Sequence, residues 1–186
     1  MNETQARELL EEDHGSLGDL FGRLRAALRG SDVRGAFELL DAAWARLAVH
    51  VRAEHLCLFP AVLGAPAELF GRCTGAPSRD EAREIVAGLR HDHDFFMREL
   101  ASAIGTLREL LSGTEGGAEP RGLESARRSV EAVISRLEEH DRLEEEHVYR
   151  WPDVLLDADG RARLAADVRR ELENLPRRFE RGARSP

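Results

Sequence analysis

Two parts of the chain repeat one arrangement of histidines on apolar helical stripes, and this repeat limits the possible folds most strongly. Asp13-His14 and Asp92-His93 are each followed by apolar residues three, seven, ten and fourteen positions after the histidine. Such spacing places residues on one face of an α-helix, so each segment is predicted to be an amphipathic helix. The apolar positions are Leu17, Phe21, Leu24 and Leu28 in the first part, and Phe96, Leu100, Ala103 and Leu107 in the second.

A second pair of segments repeats the motif His-x-x-x-Glu, as His50 to Glu54 and as His140 to Glu144. Residues four apart share a helix face, so each motif presents an imidazole and a carboxylate one turn apart. A leucine three positions before each histidine turns that face toward the core. Polar groups that face a core are costly unless they are paired or bind a metal.

Helical periodicity dominates the chain and predicts an all-α fold, an up-down-up-down four-helix bundle with an additional C-terminal helix. We expect residues 1–156 to form the bundle and residues 157–186 to form an amphipathic helix and tail packed on it. The predicted helices cover about residues 3–29, 32–63, 78–111 and 120–150, and a fifth follows a turn at 157–160. Trp151-Pro152 is expected to end the fourth helix.

Composition excludes several classes of function. The net charge of −8 argues against a nucleic-acid partner, because phosphate binding needs a basic surface. No apolar run is long enough to span a membrane, and the N-terminus lacks the pattern of a secretory signal, so we expect a cytoplasmic protein without a membrane partner. Cys57 and Cys73 do not make a disulfide scaffold. The oligomeric state stays open.

The four histidines of these motifs could lie at similar depths in such a bundle. His14 and His50 lie 17 and 19 residues from the middle of the loop between them, and His93 and His140 lie 23 and 24 residues from theirs. Each antiparallel pair therefore differs in level by only about 2–3 Å. Two imidazoles per metal ion, with carboxylates bridging ions about 3.5–4 Å apart, suit iron or manganese.

The ordered set of four histidines and two glutamates resembles the hemerythrin-like family, or HHE cation-binding domain, over about residues 5–152. The resemblance implies a bundle around a non-haem di-iron centre: two iron ions, with an oxo or hydroxo bridge, in which the glutamates also bridge. Carried over by position, the metal ligands are His14, His50, Glu54, His93, His140 and Glu144.

The chain departs from the oxygen-carrying members of that family, which have a fifth histidine four positions from the one on the third helix. Here Leu89 and Met97 occupy the positions four away from His93. The resemblance therefore implies redox chemistry with peroxide, nitric oxide or dioxygen, and possible di-iron oxidoreductase activity. The alternative is a non-catalytic protein that binds, stores or senses oxygen or iron, which a fifth ligand from His147 would favour.

Other residues near the motifs are interpreted more simply. His91 is off the apolar stripe and is expected at the surface, and His55 is expected at the surface or against a ligand rather than as a ligand. Whether Cys57 reaches the site stays open. Tyr149 is interpreted as a core residue and Glu145 as solvated.

Overall fold

The computed structural model describes residues 5–72, 74–113, 119–176 and 179, and all regular structure within them is helical. Four long helices form the predicted bundle, which confirms the all-α fold with an additional C-terminal helix. The α-helices of the described residues are α1 (Ala6–Arg29), α2 (Val33–Ala53), α3 (Phe59–Leu63), α4 (Arg79–Ser112), α5 (Glu119–Glu146), α6 (Trp151–Leu155) and α7 (Ala158–Leu172). A π-helical turn at Glu54–Leu58 joins α2 to α3, and short 3-10 turns lie at Ala67–Leu69 and Val148–Arg150.

Tertiary contacts divide the described residues into two compact units, one of which comprises those within 15–48, 94–138 and 175–186. In this unit α1 is bound to α5 by the two-pronged ion pair of Arg25 with Glu131, at 2.9 and 2.6 Å. Trp44 on α2 donates to the Met97 carbonyl on α4 at 3.3 Å. The predicted apolar stripes fill its core, with Leu17, Phe21, Leu24, Leu28, Leu40, Leu47, Phe96, Leu100 and Leu107 all buried.

The other unit contains residues 1–14, 49–93 and 139–174, and it includes every residue of the candidate site. Its core combines Leu10, Leu58, Phe59, Val62, Leu89, Val148, Tyr149 and Trp151 with residues of α7. Helix α7 packs against the π turn through a buried face, and its Glu171 forms an ion pair at 2.7 Å with Arg52 near the end of α2. That face is formed by Leu164, Ala165 and Val168.

The π turn replaces the regular α-helix that the sequence predicts through residue 63. The backbone N–H of Phe59 donates to the carbonyl of Glu54, a span of five residues instead of four. Pro60 explains the widening, because a proline has no N–H and its ring clashes with the carbonyl four residues earlier in a regular helix. The turn begins at Glu54, so the wider geometry starts at a predicted ligand.

The end of the fourth bundle helix differs from the prediction. Helix α5 ends at Glu146, and His147 leaves the helical region with φ −125° and ψ −69°. The sequence predicts that Trp151-Pro152 ends the fourth helix. In the structure this pair instead begins the short helix α6. The physical reason is that a proline in the first turn of a helix needs no N–H partner there.

The predicted helix start at residue 78 is confirmed, whereas α7 begins at Ala158, within the turn expected at 157–160. Ser78 and Glu81 form the reciprocal capping box, with bonds of 3.1 and 3.2 Å between each side chain and the other's backbone N–H. Asp157 caps α7 by accepting from the Gly160 N–H at 2.7 Å. The predicted loop at 112–119, Cys73 and the arginine-rich tail lie mostly or wholly outside the described residues. Among the described residues, no helix combines the length and apolar composition needed to cross a bilayer.

We expect Asp157→Ala to lower the free energy of unfolding by about 1 kcal/mol, the usual cost of losing an N-cap. Urea unfolding followed by far-ultraviolet circular dichroism measures this change. Asp157→Asn is the matched control, because asparagine also caps helices, and it should stay close to the parent protein. Equal losses in both variants would contradict a capping role for this side chain.

Candidate metal centre

The structure brings all six predicted ligands together in the interior of one unit. Five of them are at most 3% exposed and His14 is 7% exposed. Their nitrogen and oxygen atoms form two groups, in each of which the atoms lie within 4.8 Å of one another: His14 and His50 with both glutamates, and His93 and His140 with the same two glutamates. Each group could hold a metal ion, and Glu54 and Glu144 belong to both.

Each glutamate presents one carboxylate oxygen to each pair of histidines. Glu54 Oε1 lies 3.5 Å from His50 Nε2, and Glu54 Oε2 lies 3.2 Å from His93 Nε2. Glu144 Oε2 lies 3.4 Å from His14 Nε2, and Glu144 Oε1 lies 3.1 Å from His140 Nε2. This is the orientation that two carboxylates need to bridge two metal ions.

The chemistry of the donor set fits a pair of metal ions. Glu54 Oε2 and Glu144 Oε1 are fully buried and accept no hydrogen bond. The Nε2 atoms of His14 and His50 lie 3.1 Å apart, and those of His93 and His140 lie 2.9 Å apart. Buried carboxylate oxygens without donors are costly, and a bound cation relieves that cost. Mixed imidazole and carboxylate donors suit iron and related transition metals.

Two aspartates orient two of the imidazoles. His50 Nδ1 donates to Asp13 Oδ2 at 3.0 Å, and His140 Nδ1 donates to Asp92 Oδ2 at 3.3 Å. With its proton on Nδ1, a neutral imidazole has its Nε2 lone pair available for a metal ion between the ring and the carboxylates. Carboxylates in this position fix the ring and raise the basicity of a metal-binding histidine.

The other two imidazoles have supports that come directly after the glutamates in sequence. His14 Nδ1 donates to Glu145 Oε1 at 2.9 Å, and His93 Nδ1 lies 2.9 Å from His55 Nε2. Glu145 is therefore not merely solvated, although 41% of its side chain is exposed. His55 is expected either at the surface or against a ligand, and the structure places it against the predicted ligand His93.

Tyr149 is the functional candidate that the sequence interpretation missed. It is 1% exposed, as a core residue would be, but its hydroxyl lies among the predicted ligands. It donates to Glu54 Oε1 at 2.7 Å or to Glu144 Oε2 at 3.0 Å, and it lies 3.0 Å from His14 Nε2. Its counterpart in the internal repeat is Phe59, so the repeat pattern carried no sign of a hydroxyl here.

Burial and charge act against each other on the ionisable groups. Burial disfavours the charge of His140, but the negative charge of Glu144, 3.1 Å away, outweighs this and raises the pKa of His140 to about 9. Burial would raise the pKa of Glu54, but His50 and His93 hold it well below its ordinary value. Burial, reinforced by both glutamates, raises the pKa of Tyr149 well above its ordinary value, so its hydroxyl keeps its proton.

The remaining candidates lie outside both groups. His91 and His147 are exposed, so His147 does not supply a fifth ligand in this structure. Cys57 is half-buried and packs against the core of its unit rather than in the site.

Tyr149 also lines a cavity of about 580 Å³ between the start of α1 and the residues of α6 and α7. Arginine side chains at its wall include Arg7, Arg161 and Arg169. Its volume falls in the range of small-molecule pockets. The cavity therefore comes into contact with a residue whose hydroxyl is in the candidate centre.

Comparison with protein families agrees with this geometry. The model of the hemerythrin HHE cation binding domain matches residues 5–152, most of the chain. The chain belongs to the hemerythrin HHE family. Comparison with curated proteins and with solved structures gave no match. Together, the family and the two buried histidine and glutamate groups identify this hemerythrin HHE protein as a metal-binding helical domain.

We expect the metal-free HHE protein to lose stability as the pH rises from 6.5 to about 9. The pKa of His140 is raised from 6.5 to about 9 in the folded chain. A group with a raised folded pKa stabilises the fold fully below its unfolded pKa, and this contribution disappears as the pH passes the folded value. The loss for one such group is on the order of 3 kcal/mol.

Urea unfolding in the presence of a chelator, at several pH values across this window, measures the loss. His140→Gln removes this titrating group and should reduce the dependence on pH by its share, because the pKa values of His14 and His50 are also raised and these groups remain. A stability that stays constant or increases across the window would contradict the charge pairing described above.

Proposed function

We propose that this protein holds two iron ions in the two histidine and glutamate groups and uses them for redox chemistry with a small ligand: peroxide, nitric oxide or dioxygen. The observation that supports this most directly is the orientation of Glu54 and Glu144, each with one oxygen toward each pair of histidines. The proposed ligands are His14, His50, Glu54, His93, His140 and Glu144.

An iron pair supplies one-electron steps and open coordination positions when it is bound. Four protein donors per ion, two imidazoles and one oxygen from each glutamate, leave such positions on an ion that prefers higher coordination. The near-complete burial of these side chains excludes bulk water, which strengthens electrostatic interactions inside the site. The supporting carboxylates hold three of the four imidazoles, those of His14, His50 and His140, in one tautomer and orientation.

Tyr149 is proposed to hold a proton beside the reacting ligand. Its hydroxyl stays protonated because burial, and then both glutamates, raise its pKa well above the ordinary value. The same residue lines the cavity beside α6 and α7, which offers a small ligand a path toward the site. A hydroxyl at this place can donate a hydrogen bond to a small ligand without adding charge.

The second candidate function is non-catalytic binding, storage or sensing of oxygen or iron. The observation that favours it is the close support of all four imidazoles by neighbouring side chains, which suits stable retention of metal. The absence of His147 from both groups favours the redox proposal instead, since a fifth histidine would occupy an open position.

We expect His93→Ala to lower the iron content from about two ions per chain to about one or less, and His91→Ala to leave it unchanged. His93 is buried in the centre, whereas His91 lies two residues away on the same helix and is exposed. Iron per chain is measured by elemental analysis of protein purified without chelators. Equal effects of the two substitutions would overturn the ligand assignment on α4.

Reaction of the reduced protein with air and with peroxide separates the two candidate functions. Repeated consumption of peroxide or nitric oxide supports redox turnover, and a stable, reversible change in the visible spectrum supports non-catalytic binding. Protein that takes up no iron on reconstitution would overturn both.

We expect Tyr149→Phe to keep both ions at saturating iron but to slow the reaction with peroxide at least about a hundredfold, the lower end of the usual range for loss of a positioned proton donor or acceptor. The ring keeps its packing, so only the hydroxyl is removed. Stopped-flow absorbance gives the rate, and elemental analysis gives the iron content. An unchanged rate at full iron occupancy would exclude the proton-holding role.

A further inference from the structure

We propose that the two metal positions are unequal. Position A, held by His14 and His50, binds its ion more tightly and fills first, and position B, held by His93 and His140, fills second. This inference rests on the proposed function, since it requires two ions. It comes from the places where the internal repeat of the chain is broken around the centre.

The repeat makes most of the two positions equivalent. Each has two imidazoles and one oxygen from each shared glutamate. Each also has an aspartate that supports one imidazole: Asp13 at position A and Asp92 at position B, both directly before a histidine of the repeat. A difference in affinity must therefore come from the residues that the repeat does not preserve.

The first break is the support of the remaining imidazole. At position A, the carboxylate of Glu145 accepts from His14 at 2.9 Å. The residue at the same place in the repeat is His55, whose imidazole contacts His93 at 2.9 Å. A carboxylate makes the supported imidazole a better electron donor to a cation than a second imidazole does.

The second break adds another acidic group beside position A. Asp141 Oδ1 lies 3.7 Å from His14 Nε2, and this oxygen is buried without a hydrogen-bond partner. Its counterpart one residue after His50 is Val51, which carries no charge. A bound cation at position A therefore has an additional anion nearby.

At the third break, a tyrosine beside position A corresponds to a phenylalanine beside position B. Tyr149 places its oxygen 3.0 Å from His14 Nε2 and 3.4 Å from His50 Nε2. Its counterpart Phe59 stacks on the His93 ring at 6.2 Å between centroids and offers no oxygen. The Arg90 guanidinium lies 5.7 Å from the Phe59 ring, so a positive charge is added on the side of position B.

One contact acts in the opposite direction. Tyr149 donates to the glutamate oxygens that face position A, whereas those that face position B accept no hydrogen bond. Displacing one hydrogen bond to a charged acceptor changes an affinity by about 10–150-fold. Changes in the residues that support metal-binding histidines alter metal affinity by about 10–100-fold. One opposing hydrogen bond is thus comparable with one changed support, and the additional anion Asp141 beside His14 decides in favour of position A.

The test is an anaerobic equilibrium dialysis of the full-length, metal-free protein against Fe²⁺, with bound iron measured per chain. We expect two binding steps whose dissociation constants differ at least tenfold. His14→Ala should remove the tighter step and His93→Ala the weaker one. Loss of the tighter step in His93→Ala would overturn the assignment.

Substitutions that exchange the two unequal supports, Glu145 and His55, test the inference more directly than loss of a ligand. His55→Glu should tighten the second step by about tenfold or more, and Glu145→His should weaken the first by a similar factor. The matched controls are Leu56→Glu and Glu146→His, which make the same kinds of change at exposed neighbouring positions. These controls should leave both steps unchanged.

The outcomes separate this inference from the proposed function. Two ions bound with equal affinity, or a second step that His55→Glu does not tighten, would overturn the inequality while leaving the di-iron centre intact. Failure of the parent protein to bind iron would overturn both. Circular dichroism confirms that each variant is folded, and if Glu145→His is not folded, His55→Glu at its partly exposed position decides the question.

Discussion

The structure depends on the burial of two carboxylates among four imidazoles. Glu54 and Glu144 are fully buried, and neither could remain there without compensation, because an isolated carboxylate in a protein interior is strongly disfavoured. In the metal-free chain, the compensation comes from histidines held in a positively charged form, as the raised pKa of His140 shows. A metal ion would take over the same role with neutral imidazoles, so metal binding and proton release are coupled in this fold.

The side chains that support the four imidazoles link the bundle helices in a closed ring. Asp13 on α1 supports a histidine on α2, and His55, just after α2, supports one on α4. Asp92 on α4 supports a histidine on α5, and Glu145 on α5 returns the contact to α1. Each helix thus supplies a predicted ligand and, one residue from a predicted ligand, the support for a ligand on the next helix. No pair of helices holds its part of the centre independently of the others.

Much of this centre could be predicted from sequence because it follows regular helical spacing. His50 with Glu54 and His140 with Glu144 are four apart on apolar stripes, and that spacing alone places their side chains on one buried face. The helix predicted from residue 78 depends equally on local contacts, since both hydrogen bonds of the Ser78 capping box are local. The all-α bundle followed from the same periodicity.

The features that could not be predicted lie where the helical spacing changes. Five residues after Glu144, a regular helix would place Tyr149 about 140° away from that glutamate and off its face. Helix α5 instead ends before His147, and the 3-10 turn at Val148–Arg150 brings the Tyr149 hydroxyl within 3.0 Å of Glu144. On the other half of the repeat, Pro60 widens the backbone into a π turn. Sequence periodicity assumes one constant rotation per residue, so it fails at both places.

These two irregular segments explain how a repeated sequence can form an unsymmetrical centre. The predicted ligands lie on regular helices or at their ends. There the two parts of the repeat have the same residue spacing, and the ligands are of the same types in both. Tyr149 and Phe59 lie beyond the helix break and the π turn, where the two backbones differ. A side chain there can change its chemistry without altering the shared ligand geometry. The chain therefore separates two requirements: regular helices fix the donors that both metal positions need, and the irregular segments after the glutamates make the two positions chemically different.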